Sequence, residues 1–136
     1  MTLGVAILGT GRLGGNYIKS VNVSDGAETV VVAEPREEQV SDLKTANPDI
    51  EFVADYRDIL RREDIDIVVG TLPHWLHHRA AIDCLEAGKH VFLEKPMALS
   101  TVEGDEMMTA AKAANRLLMT AHTQRYFGEN IKMKEI

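Results

Sequence analysis

"LGVAILGTGRLGGNYI", residues 3–18, decides how this chain folds. Leu3–Leu8 is a short, almost unbroken apolar run, which suits a strand buried on both faces. "GTGRLG" then interrupts it, with Gly9, Gly11 and Gly14 in the spacing G-x-G-x-x-G. Past the turn, Leu13, Tyr17 and Val21 recur at helical spacing, and Gly14 and Ile18 share their face. The glycines alone would mean little; strand, glycine turn and helix in direct succession are the phosphate-binding start of a dinucleotide fold. Gly9 permits the tight bend, Gly11 lets a pyrophosphate approach the backbone, and Gly14 lets the helix pack closely. Free N–H groups and the positive end of the helix dipole then face the phosphates. Thr10, Arg12 and Leu13 complete the turn and join the expected cofactor contacts. A merely structural Gly-rich turn is the alternative.

The alternation begun there continues. Residues 29–33, "TVVVA", read as a second β-branched strand closing on Glu34, and residues 36–47 as a helix stopped before Pro48. Glu51–Val53 is a short strand, and Asp55, with Asp58 three residues on, caps a short helix through Leu60. "DIDIVVGT", residues 64–71, is a central strand. "HHRAAIDCLEAG", residues 77–88, is a helix with Gly88 at its C-terminal stop. "HVFL" at 90–93 and "LLMT" at 117–120 are strands. Between them Ser100 and Glu103 form a capping box for a helix reaching about Asn115. Strands that are apolar runs, alternating with helices, predict a single α/β domain with a doubly wound parallel sheet, the Rossmann fold.

A length of 136 residues suits one such domain. The net charge is −6 and Lys and Arg are scattered, so neither nucleic acid nor an anionic membrane is an expected partner. The single cysteine, Cys84, cannot close an intramolecular disulfide; its neighbours Ala81 and Leu85 predict an inert core thiol. No stretch has the layout of a signal peptide or the length of a membrane span, and a cytoplasmic protein is the default.

Glu34 lies twenty residues beyond Gly14, at the end of the second strand. A carboxylate there can accept both ribose hydroxyl protons of adenosine and repels a 2′-phosphate, which favours NAD. Arg36 could hold that phosphate instead, so NADP stays open. In an open α/β sheet ligands lie outside the C-terminal strand ends. Those ends also carry "TLPHWLHH" (71–78), the triplet Glu94-Lys95-Pro96, and "AHTQR" (121–125). Read by itself, the triplet could be a solvated charge pair ahead of a turn proline. His74 and His78 have i, i+4 spacing, but Trp75 stands where a zinc protease has its glutamate, so no metal site is expected.

The glycine turn, "DIDIVVGTLPHWLHH", "CLEAGKHVFLEKPMALS" and "LMTAHTQRY", in this order and spacing, resemble the N-terminal half of the glucose–fructose oxidoreductase / inositol dehydrogenase / MocA (Gfo/Idh/MocA) family. The resemblance implies that Lys95 contacts the reacting hydroxyl or carbonyl and assists proton transfer as hydride moves to or from the nicotinamide. Glu94 would place the nicotinamide ring and orient the lysine, and the Lys95–Pro96 bond would take the family's geometry, often cis. Pro73 and His77 fall on the family's T-P-x-x-x-H element and join the cofactor contacts with Leu72, which stands where the family has threonine. His122 and Arg125 would reach the substrate or the cofactor edge; for Arg125 a structural tie between the nucleotide domain and the next part of the protein is the alternative. Trp75 would pack over the cofactor cleft or against a missing neighbour.

By the same resemblance the substrate is a sugar, polyol or cyclitol, and the family's C-terminal α/β domain is absent from this chain. Residues 1–120 are then the dinucleotide domain and 121–136 the start of the connection to the second domain. Surface near Trp75 and "LLMT" that the missing domain would cover predicts a homo-oligomer. A non-catalytic dinucleotide module, working as a sensor or scaffold with a partner, is the competing reading; retention of Glu94, Lys95 and Pro96 speaks for the enzyme.

Overall fold

The computed structural model describes residues 2–135. Its central strand is β1 (Leu3–Leu8), whose side chains alternate between two cores: Val5 and Ile7 on one sheet face, Ala6 and Leu8 on the other. After the glycine turn come α1 (Gly14–Asn22), β2 (Ala27–Ala33), α2 (Glu37–Ala46) and β3 (Glu51–Val53). A short 3-10 turn (Tyr56–Ile59) leads to β4 (Ile67–Gly70), α3 (His77–Glu86), β5 (His90–Leu93), α4 (Thr101–Ala114) and β6 (Leu118–Thr120). A last helix, α5 (Gly128–Met133), comes after them. All neighbouring strands are parallel, in the order β3-β2-β1-β4-β5-β6. The chain is a Rossmann fold, and its order reverses between β1 and β4, the switch point where such sheets bind ligands.

One face is covered by α1, whose Ile18 is buried against Val5, Ile7, Val32 and Val69. The other is covered by α3 and α4. Ala80, Ala81, Cys84 and Leu85, with Met107 and Ala111, meet Ala6, Leu8, Val31, Val68, Val91 and Leu93. Small alanines at the contact let both helices lie close to the sheet, while the larger residues carry the burial, about 1.5–3 kcal/mol for each large aliphatic side chain. Cys84 lies wholly inside this core, and burial pushes its thiol up to about 12, so it stays protonated at neutral pH.

Local signals hold with small shifts. β2 starts two residues earlier than its β-branched run, because Leu3 pairs with Ala27 and its N–H donates to the Gly26 carbonyl. β4 starts only at Ile67; the Asp66 carboxylate is drawn off to accept the Gly4 N–H at 2.9 Å. Asp55 caps the 3-10 turn by accepting the Arg57 N–H. Ser100 caps α4 through the Glu103 N–H at 3.2 Å, but Glu103 reaches back to the Leu99 N–H rather than to that of Ser100. α3 ends ahead of Gly88, and α4 ends on Asn115, both with positive φ (78° and 52°).

Strand register is what builds the site. Leu8 pairs with both Ala33 and Gly70, Gly70 pairs with Leu93, and Leu93 pairs with Thr120. The next residues, Gly9, Glu34, Thr71, Glu94 and Ala121, therefore emerge level with one another along one edge of the sheet. No helix of the described residues is long and apolar enough to cross a membrane.

Candidate cofactor and active site

Gly9 leaves β1 with φ +90°, a conformation that L side chains rarely adopt, and its own N–H donates to the Ala33 carbonyl. At Gly14 a Cβ would stand 2.4 Å from the Gly9 carbonyl oxygen. The close approach there is between helix start and turn, not between helix and sheet. A Cβ at Gly11 would meet nothing within 4 Å, so that face of the turn is open. The first turn of α1 has no side-chain cap and no acidic residue. An open glycine, a bare helix N-terminus and an uncapped dipole fit a diphosphate. Thr71 braces the arrangement from just past β4, its hydroxyl donating to the Gly9 carbonyl at 2.7 Å.

Beside the turn, Glu34 is almost fully buried, and its carboxylate is saturated with donors. Oε1 accepts from the Arg36 backbone N–H (3.1 Å) and Nε (2.7 Å). Oε2 accepts from the Thr10 N–H (2.8 Å), the Thr10 hydroxyl (3.0 Å) and the Arg36 guanidinium (3.0 Å). Burial works to raise its pKa, but the bonds from Arg36 and Thr10 outweigh it and bring the carboxyl down to about 2. The expected ribose acceptor is thus an internal clasp. Thr10 is buried, and both its N–H and its hydroxyl are spent on Glu34. Arg36, half exposed, is the member of the pair that faces outward. It lines a hollow of about 490 Å³ with Glu34, Arg57, Leu72, Pro73 and Leu76.

Leu72 also belongs to a second cleft of about 430 Å³, so the two adjoin. Arg12, Leu13, Thr71, His74, Glu94 and Lys95 line this one. The Lys95–Pro96 peptide is cis, as the resemblance implied. Glu94 accepts the Tyr17 hydroxyl at 2.6 Å and, through its other oxygen, the Lys95 N–H at 3.0 Å. Lys95 is exposed, and among the described residues its ammonium makes no ion pair. The arrangement leaves an unpaired cation beside an oriented carboxylate at the mouth of a cleft.

Four further residues singled out in the sequence lie outside the two hollows. His77 has no exposed surface, and its ring nitrogens face two carbonyl oxygens: Nδ1 the Pro96 oxygen at 2.9 Å, Nε2 the Leu72 oxygen at 3.0 Å. It ties the loop after β4 to the loop after β5 and, wholly buried, offers no surface to a ligand. Trp75 is 72% exposed and lines neither hollow. His122 and Arg125 are exposed and also lie outside both. Sequence reasoning missed Tyr17, Thr71 and His74 as site residues. Helical spacing puts Tyr17 on the packed helix face, and its ring does meet Phe92, but its hydroxyl leaves that face for Glu94.

Residues 3–122 match the oxidoreductase family with an NAD-binding Rossmann fold that carries the Gfo/Idh/MocA name. The chain is 32% identical over 136 residues to a scyllo-inositol 2-dehydrogenase (NADP(+)) of Bacillus subtilis, covering 99% of this chain and 37% of that protein. It is 32% identical over 126 residues to a 2,7-anhydro-N-acetylneuraminate hydratase of Mediterraneibacter gnavus, covering 93% and 33%. Among solved structures, a myo-inositol 2-dehydrogenase from Lactobacillus plantarum superposes with a TM-score of 0.91 at 29% identity, covering 100% of this chain and 41% of that one. The chain thus spans about a third to two-fifths of the length of these relatives.

Proposed function

The chain belongs to the Gfo/Idh/MocA family of NAD(P)-binding oxidoreductases, and on that premise we propose that it is the cofactor-binding half of an enzyme that oxidises or reduces a hydroxyl or carbonyl carbon of a sugar, polyol or cyclitol. The observation that carries the reading is the level row of strand ends, which puts the glycine turn, the Glu34–Arg36 pair and Glu94-Lys95 along one edge. The α1 N-terminus and the turn would hold the diphosphate, and the hollow at Arg36, Pro73 and Leu76 the adenosine. Bound nicotinamide supplies the hydride donor or acceptor. The protein's own part is then at the oxygen: Lys95 gives a proton to, or takes one from, the reacting hydroxyl, while Glu94 orients the lysine and the ring. The inositol dehydrogenase relatives support the polyol class.

Within this reading the cofactor is NADP(H) in preference to NAD(H). Glu34 has no acceptor position left for ribose hydroxyls, and Arg36 cancels the charge that would repel a 2′-phosphate. The guanidinium keeps three further N–H donors for that phosphate. The family match ending at residue 122 supports taking residues 121–136 as the connection to a further domain. Titration calorimetry of the chain with NADPH and NADH tests the proposal. Binding of NADPH, at least several-fold tighter than NADH, is expected; a folded chain that binds neither is not a dinucleotide domain.

A further inference from the structure

We infer that Tyr17 is a positioning residue for the nicotinamide end of the cleft: its phenol holds Glu94 in the orientation in which the carboxylate meets the cofactor. This rests on the dinucleotide reading above and goes beyond it, since it assigns a task to a residue of the phosphate-binding helix that touches neither phosphate nor substrate. Tyr17 lies three residues past Gly14, on the first turn of α1. Its ring packs edge-on against Phe92 of β5, with centroids 5.8 Å apart and planes at 67°. That contact anchors the ring, so the hydroxyl arrives at Glu94 from a fixed direction.

The bond it makes there spans 77 residues of sequence, is 2.6 Å long, and ends on Oε1 of Glu94. Oε2 takes the Lys95 N–H at 3.0 Å. One donor on each oxygen defines the carboxylate plane and still leaves acceptor positions for a ligand. The donor is dependable, because burial first, and the neighbouring Glu94 carboxylate second, hold the Tyr17 phenol above its usual range. A tyrosine kept only for packing would need no hydroxyl in the cleft; phenylalanine would serve. Because one helix carries both the bare N-terminus at the glycine turn and this phenol, binding of the diphosphate and orientation of Glu94 draw on the same rigid element.

The test separates the nicotinamide end from everything else. The chain and Tyr17→Phe are titrated calorimetrically with NADPH and with 2′-phospho-ADP-ribose, which lacks only the nicotinamide. Loss of one hydrogen bond to a partly exposed charged group should weaken NADPH about five- to tenfold. The fragment should bind the variant within about twofold of the wild type. Glu94→Ala should reproduce this selective loss by itself, which keeps the idea testable should Tyr17→Phe fold poorly. In the Glu94→Ala background, Tyr17→Phe should have no further effect. Equal losses for both ligands would mean that Tyr17 supports the helix and not Glu94. Unchanged NADPH affinity, or a full additive loss in the Glu94→Ala background, would overturn the assignment as well. A wild-type chain that binds neither ligand would instead remove the dinucleotide reading, and this inference with it.

Discussion

At the end of β2, Glu34 and Arg36 are two residues apart and neutralise each other before any ligand arrives. At the end of β5, Glu94 and Lys95 are adjacent and do not pair. In the first pair the extended backbone at Arg36 (φ −95°, ψ 104°) turns the guanidinium back onto the carboxylate, with two side-chain bonds and one from its own N–H. In the second, the carboxylate is claimed by Tyr17 and by the backbone, and the ammonium is left to solvent. Recognition tolerates a preformed ion pair, because a bidentate pair still offers spare donors to a phosphate. Proton transfer does not, because a lysine locked to a carboxylate cannot move a proton at a substrate oxygen. On the proposed reading the same residue types serve two purposes, according to which partner reaches them first.

The contrast predicts that changes at the two ends damage different quantities. The largest effect belongs to Lys95. In a catalytically competent form of the protein, Lys95→Ala should lower turnover by about 10²-fold or more, the scale of positioned acid–base catalysis. Its cofactor affinity should stay within about twofold, because Lys95 makes no bond that shapes the turn or the Glu34 clasp. Steady-state kinetics beside a binding titration would show the split. Turnover that survives the change would reduce Lys95 to a solvated surface charge.

Arg36→Ala should do the reverse. Removing the guanidinium takes away the donors proposed for a 2′-phosphate and relieves each oxygen of Glu34 of one bond, leaving Oε1 with the Arg36 N–H alone and the carboxylate unneutralised beside that site. NADPH affinity should fall about tenfold or more, on the scale of charge-assisted hydrogen bonds. NADH should hold its affinity or gain, since Glu34 can then accept ribose hydroxyls. Calorimetry on the variant reads the ratio directly. An unchanged ratio would show that the outward guanidinium does not face the ribose, and the contrast between the two ends would lose one side.

Much of this was legible in advance because it rests on local patterns. Apolar runs of strand length, Gly88 after a helix and the capping Ser100 are each read from a few neighbouring residues. The glycine turn was legible for the same reason, its three glycines fitting one geometry. What escaped was set by contacts across long stretches of chain. Tyr17 reaches Glu94 over 77 residues, Thr71 braces Gly9 over 62, and His77 bridges the carbonyls of Leu72 and Pro96. None of these leaves a periodic trace. Glu34 shows the middle case: its place at the end of β2 could be counted from Gly14, but whether its oxygens were free depended on how Arg36 folds back. Position was predictable, occupancy was not.

The smallest expected effect is the pH dependence of that clasp, and its sign is set by the bonds. The Glu34 carboxyl is held at about 2 in the folded chain, against an ordinary 4.5, because the bonds from Arg36 and Thr10 favour the ionised form by more than burial disfavours it. A carboxyl with a lowered folded pKa contributes stability that is complete above about 4.5 and drains away as the pH falls toward 2. Thermal unfolding of the chain and of Glu34→Gln between pH 7 and pH 2.5 should therefore give midpoints that converge on acidification. At neutral pH the wild type should stand higher by a few degrees, since one clasp in a chain of this size moves the midpoint only modestly. The convergence should begin below about pH 4.5. Midpoints that keep a constant separation down to pH 2.5 would mean that the bonds to Arg36 and Thr10 are as strong to a neutral side chain. The clasp would then be held by shape, and the neutralised charge at the end of β2 would no longer distinguish it from the end of β5.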